Sequence, residues 1–158
     1  MHPEPSDPVF ARAVVRRLGD RLLSELTALK DSPHEESIHD TRVQSRRLRA
    51  ALEAFDELFP PYPWKALYQS IRHITRALGR PRETEVLLAM LKGLTSSRDI
   101  AENLCREYLQ ELFQKKLQKQ ERQLKRDLQT IDCDRLRSKI EFLLAGLDTG
   151  EAEQAIPT

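Results

Sequence analysis

Apolar residues recur along most of this chain at intervals of three and four, the spacing that lines one side of an α-helix. Phe10, Val14, Leu18, Leu22, Leu26 and Leu29 form the first such stripe and predict a helix over residues 8–30. Asp31-Ser32-Pro33 closes it. Ser32 reads as the N-cap of the next helix, with Glu35 three positions on completing a capping box. That second helix is expected over 33–59. Pro60-Pro61-Tyr62-Pro63 is a rigid break, and Trp64 opens a third helix with Leu67, Ile71, Ile74 and Leu78 on one side. Gly79 is placed to end it, and Pro81 to start a short helix with Val86, Leu87, Met90, Leu91 and Leu94 turned inward. Thr95-Ser96-Ser97 caps a long helix whose stripe runs Ile100, Leu104, Tyr108, Leu112, Leu117, Leu124 and Leu128. A last helix, over about 134–147, carries Leu136, Ile140, Leu143, Leu144 and Leu147. No segment alternates as a strand does. The pattern predicts an all-α fold, an antiparallel four- to five-helix bundle over 8–147, with flexible tails at 1–7 and 148–158.

Length and composition narrow this picture without changing it. A chain of 158 residues suits one domain. With 39% hydrophobic and 32% charged residues, it fits amphipathic helices around one narrow core better than a thick sandwich. No apolar run approaches the roughly 20 residues of a membrane span, so no membrane association is expected. The opening MHPEPSDPVF lacks the basic and apolar regions of a signal peptide. Cys105 and Cys133 form no close pair, and a reduced, cytoplasmic setting is the default. Lys and Arg number 26 against 25 Asp and Glu, a net charge of +1. Overall charge therefore says nothing about a polyanionic partner; only the placement of charges can.

Their placement is uneven. At about 100° per residue, His39, Arg42, Arg46 and Arg49 fall within about 80° of one another, opposite Leu48, Leu52, Phe55 and Phe59. A solvated helix face is the bland reading of one such stripe, but solvated faces normally mix signs, and here only Glu53 joins. The third helix repeats the pattern with Lys65, Tyr68, Arg72 and Arg76 on one side. From Pro60 to Arg82 there are five cations and no acid. The long helix repeats it again with Lys115, Lys119, Arg122 and Arg126. Three basic stripes, each off the apolar face, favour an anion-binding surface, because Arg offers planar, bidentate recognition of phosphate oxygens and Lys a point charge.

Other chemistries are weaker. His34, Glu35, Glu36, His39 and Asp40 have a spacing common among solvent-exposed pairs, and no metal site is assigned to them. His73 reads as a boundary residue, and Tyr62 and Trp64 as covers for the bundle end. There is no phosphate-binding glycine loop, no dinucleotide fingerprint and no nucleophile–base arrangement. No catalytic residue, cofactor or enzymatic activity is expected.

The run Ile38-His39-Asp40-Thr41-Arg42-Val43-Gln44-Ser45-Arg46-Arg47-Leu48-Arg49-Ala50-Ala51-Leu52 resembles the signature of CHAD, the conserved histidine α-helical domain, roughly H-x-x-R-V-x-x-R-R-L-R-x-x-L. The run from Ile71 to Leu88, with Arg72, Arg76, Leu78, Gly79, Arg82 and Val86-Leu87-Leu88, is similar to that family's second block. Glu83 and Glu85 stand where the family often has Asp. The resemblance implies an α-helical, cytoplasmic module that binds inorganic polyphosphate through basic helix surfaces, associates with polyphosphate granules and sits beside triphosphate-processing CYTH proteins. Carried over by position, His39, Arg42, Arg46, Arg49, Arg72, Arg76 and Arg82 fall on family motif residues. Lys65, Lys115, Lys119, Arg122 and Arg126 extend that set from helical spacing alone. The family's full module has two similar halves, and this chain resembles the N-terminal one. It is then either a half-module that forms a homodimer or part of a larger whole. A basic-surface module for an acidic protein, or a non-specific nucleic-acid binder, are the alternative functions.

Overall fold

Burial along the chain follows helical periods and no others, and the outcome is all-α. The computed structural model describes residues 7–153, with side chains over 7–147. The five helices of this region are α1 (Pro8–Asp31), α2 (Glu35–Ala54), α3 (Pro61–Gly93), α4 (Ile100–Thr130) and α5 (Cys133–Glu153). The expected tails fall largely outside the described residues. Asp7 accepts from the Val9 amide as the N-cap of α1, and α5 continues beyond the expected residue 147 to Glu153. No described helix is long and apolar enough to cross a membrane. The chain divides into two compact units: the described residues up to Thr75 with those from Ile131 on, and Arg76–Thr130.

In the first unit α1 packs against α2 and α5. Its buried line is Ala11, Val15, Gly19, Leu22, Leu26 and Leu29, with Leu23 beside it. The expected Phe10, Val14 and Leu18 are only half-buried. Gly19 explains the shifted register: a Cβ there would lie 2.9 Å from Ile140 Cδ1 of α5, so the missing side chain admits Ile140. At the edge of the same contact, Arg16 donates two hydrogen bonds to Glu141, at 2.8 and 3.0 Å.

Helix α2 starts two residues later than expected, and His34 is its N-cap. The His34 Nδ1 accepts from the Ser37 amide, and the His34 amide donates to Ser37 Oγ, both at 3.0 Å. Ser32 instead closes α1, its amide donating to Ala28 O. At the other end α2 stops at Ala54, followed by a 3-10 turn over Asp56–Leu58. The Leu52 carbonyl there accepts from the Trp64 indole at 2.7 Å. Phe55 and Phe59 stay buried, and Phe55 meets Phe10 edge to face.

Helix α3 does not break at Gly79 or Pro81. It runs on to Gly93, and no described glycine has positive φ. A proline inside a helix forfeits one hydrogen bond and costs about 3 kcal/mol. Leu78, Thr84 and Leu88, buried on either side of it, offset that cost.

The second unit is a helical hairpin of the later part of α3 and α4. Arg106 donates to Leu94 O and Thr95 O, Gln110 to Leu91 O, and Asn103 clasps the Ser97 backbone. Leu117, Leu124 and Leu128 are buried as expected, but Ile100, Leu104, Tyr108 and Leu112 are exposed. The step of five from Leu112 to Leu117 swings about 140° around the helix, so what reads as one stripe is two. Val86, Leu87, Met90 and Leu94, expected inward, are likewise exposed. Leu88 takes the inward place on α3, and these four lie away from it around the helix.

Candidate anion-binding surfaces

Three side-chain hydrogen bonds set the register of α2 against residues 61–75 of α3. Thr75 Oγ1 donates to Ser45 Oγ at 3.0 Å, Trp64 Nε1 to Leu52 O at 2.7 Å, and the Tyr68 hydroxyl to Glu53 Oε1 at 2.5 Å. The start of α3 meets the end of α2 at Leu52 and Glu53, while Thr75 further along α3 meets Ser45 further back on α2, so the two run antiparallel. Leu48, Leu52, Leu67 and Ile71 are fully buried beneath them. Stepping about 100° per residue outward from Ser45 and Thr75 places Arg42, Arg49 and Arg72 along the solvent side of this seam, with Arg46 one step further out.

Arg46 and Arg72 are exposed, as are His39 near the start of α2 and Lys65 near the start of α3. His39 and Lys65 therefore stand at opposite ends of the seam. Arg42 and Arg49 are half-buried, and the Nε of each is shut off from water with no hydrogen-bond partner among the described residues. Arg49 Nε lies 3.5 Å from Glu53 Oε1, near enough for attraction but without the geometry of a hydrogen bond. Buried donors are nearly always satisfied, which makes the Arg42 Nε, two helical turns before Arg49, the exception along this seam.

Tyr68 reports on the local field. Its hydrogen bond to Glu53 pushes the phenol above its ordinary value; burial and the Glu53 charge push the same way, while Arg49 and Arg72 pull it back. The indole of Trp64 stacks on the Tyr68 ring, with centroids 4.8 Å apart and planes 11° from parallel. Trp64 thus braces the seam, whereas Tyr62 is 79% exposed. The Ser45–Thr75 and Trp64–Leu52 bonds escaped the sequence reading, because a hydroxyl pair thirty residues apart leaves no periodic trace. Tyr68, already on the basic side by spacing, was the visible part of this cluster. His34, considered for metal, has its Nδ1 engaged by Ser37.

The other candidates belong to the second unit. Lys115, Lys119, Arg122 and Arg126 are exposed along one side of α4, as their spacing predicts. Lys115 is ion-paired to Glu111 at 2.8 Å, which raises the Lys115 pKa and lowers that of Glu111. Arg122 donates to Gln118 O and Arg126 to Gln123 Oε1. Arg76 and Arg82 are exposed on α3, and Arg82 pairs with Glu85 at 3.3 Å. Six residues separate them, about 240° around the helix, so they occupy different sides of it.

A family model described as CHAD domain matches residues 13–158. No curated protein and no solved structure matches the chain.

Proposed function

The chain belongs to the CHAD domain family, and from that membership and the guanidinium seam of α2 and α3 we propose that it binds inorganic polyphosphate. The observation that supports this reading is the line of Arg42, Arg46, Arg49 and Arg72 along the solvent side of the seam, with the Arg42 Nε lacking a partner among the described residues. A phosphate chain lying along the seam meets these four guanidiniums, with Arg46 and Arg72 at its outer edge. Guanidiniums in successive turns, about 5–6 Å apart along the axis, engage successive phosphates and release counterions. The exposed cations of α4 form a separate surface for the same ligand. His39, exposed near the start of α2, adds a further hydrogen-bond donor.

On this reading the protein is a non-enzymatic, cytoplasmic binding module, associated with polyphosphate granules or serving a CYTH-type triphosphate-processing protein. It also self-associates. Large apolar side chains of the second unit, from Val86 to Leu112, are exposed, and a second copy of the chain covers them. Light scattering showing a monomer at all accessible concentrations, with and without polyphosphate, removes the dimer.

The deciding experiment is a titration with medium-chain polyphosphate of the wild type, Arg46→Glu and Arg72→Glu. Each reversal is expected to weaken binding by about tenfold or more, with the thermal midpoint nearly unchanged because no core contact is lost. Equal loss of folding and binding returns these residues to a structural role. Tighter binding of RNA or of an acidic peptide in competition names a different ligand class.

A further inference from the structure

The hairpin of the second unit holds a cleft of about 410 Å³ that the polyphosphate reading does not use as a pocket. Arg80, Lys116 and Lys119 contribute cations to its wall, and Gln120, Gln123 and Asp127 contribute polar groups. Ala77 and Leu124 supply an apolar floor. Neither Arg80 nor Lys119 has an acidic partner among the described residues, and Lys116 lies 5.9 Å from the centroid of the Phe113 ring. The cations are therefore available to an anion. The rest of the lining asks for something else. Gln120 Oε1 is buried without a donor. Asp127 Oδ1 accepts from Gln123 Nε2 at 2.8 Å and retains acceptor capacity.

A ligand that satisfies this cleft needs an anionic end and hydrogen-bond donors on the same small body. Bare linear polyphosphate has no donors when ionised; it would leave Gln120 Oε1 unmet and bring its charge against Asp127. We infer that the α3–α4 cleft is a site for a small phosphorylated polyhydroxy compound, a sugar or polyol phosphate. The phosphate rests on Arg80, Lys116 and Lys119. Hydroxyls donate to the Asp127 carboxylate and, once the Gln120 amide turns toward the cleft, to its Oε1, and the C–H face of the ligand covers Ala77 and Leu124. The volume falls at the small end of the range for ligand clefts, which suits a monosaccharide phosphate. The inference is independent of polyphosphate binding along the α2–α3 seam.

Calorimetry with glucose 6-phosphate, inorganic phosphate and glucose tests it. Glucose 6-phosphate is expected to bind about tenfold or more tightly than either of the others, because each carries only half of the recognised groups. Lys116→Glu should weaken it by a similar factor. Gln120→Leu should bring glucose 6-phosphate down to the level of inorganic phosphate, while leaving phosphate and long-chain polyphosphate affinities in place. Asp127→Asn should reduce the same preference and serves as a second variant if Gln120→Leu does not fold by circular dichroism. Glucose 6-phosphate binding no better than inorganic phosphate overturns the inference. So does an unchanged preference in the folded Gln120→Leu or Asp127→Asn protein.

Discussion

At Arg42 the guanidinium carries a hydrogen-bond donor with no partner among the described residues. A buried donor without a partner costs about 1–3 kcal/mol, and Arg42 Nε is such a donor. Arg42→Lys keeps the charge and removes that nitrogen. It is expected to hold or raise the stability of the free protein, by up to about 1 kcal/mol once lost packing is counted, yet to weaken polyphosphate binding. Chemical denaturation and titration on the same variant check the two signs; a fall in stability with unchanged affinity makes Nε a packing group only. Much of this residue's placement was legible in the sequence. Spacing alone set Arg42, Arg46 and Arg49 off the apolar face, and the resemblance put them on motif positions. What spacing could not show is depth, that Arg42 and Arg49 are half sunk while Arg46 stands free, because depth depends on the neighbouring helix.

Among the elements, α3 departs most from expectation, since local turn chemistry at Gly79 and Pro81 argued for a break. Propensity is a local cost, and burial of Leu78, Thr84 and Leu88 on both sides outweighs it. Pro81→Ala restores a backbone donor to the helix and is expected to raise the thermal midpoint, with a ceiling of about 3 kcal/mol lowered by loss of the buried ring. A lower midpoint in calorimetry makes ring packing the larger effect. The α1–α5 contact has its own signature. The Arg16 guanidinium, by its hydrogen bonds, holds Glu141 below the ordinary carboxylate value of 4.5. A depressed folded-state pKa gives stability that is present above the unfolded value and is lost as pH falls through the folded one. Glu141→Gln is therefore expected to cost at most about 1 kcal/mol near neutrality, since both groups are substantially exposed. The difference from wild type should vanish on acidification below that range; a difference persisting at low pH would point to shape rather than charge. The α4 stripe departs from expectation for a geometric reason, because one step of five residues divides it.

For the whole molecule, the consequence of spreading cations over several turns and two units is dependence on ligand length. Orthophosphate meets one or two guanidiniums, whereas a long chain makes each further contact effectively intramolecular. Apparent affinity should rise by about 10² to 10⁴ from orthophosphate to long-chain polyphosphate. Its logarithm should fall linearly with log salt, by about 0.7 per phosphate contact for a single-stranded polyanion, and Arg72→Glu should reduce that slope by about one contact. Triphosphate binding as tightly as the long chain means a compact site. A near-neutral composition hides the cation stripes, and only the sorting of charge by helix face exposes them. The division into two units was not visible at all, since α3 passes through their boundary as one helix.

The stacked pair at the seam has an optical consequence. Trp64 is the chain's single tryptophan, and it lies against Tyr68, whose hydroxyl shares Glu53 with Arg49. A polyanion that draws Arg49 away from Glu53 alters the charge around that indole without touching it. Intrinsic emission excited at the tryptophan band then follows occupancy of the α2–α3 seam and stays silent to events in the hairpin cleft, a label-free gauge of which surface a ligand has chosen.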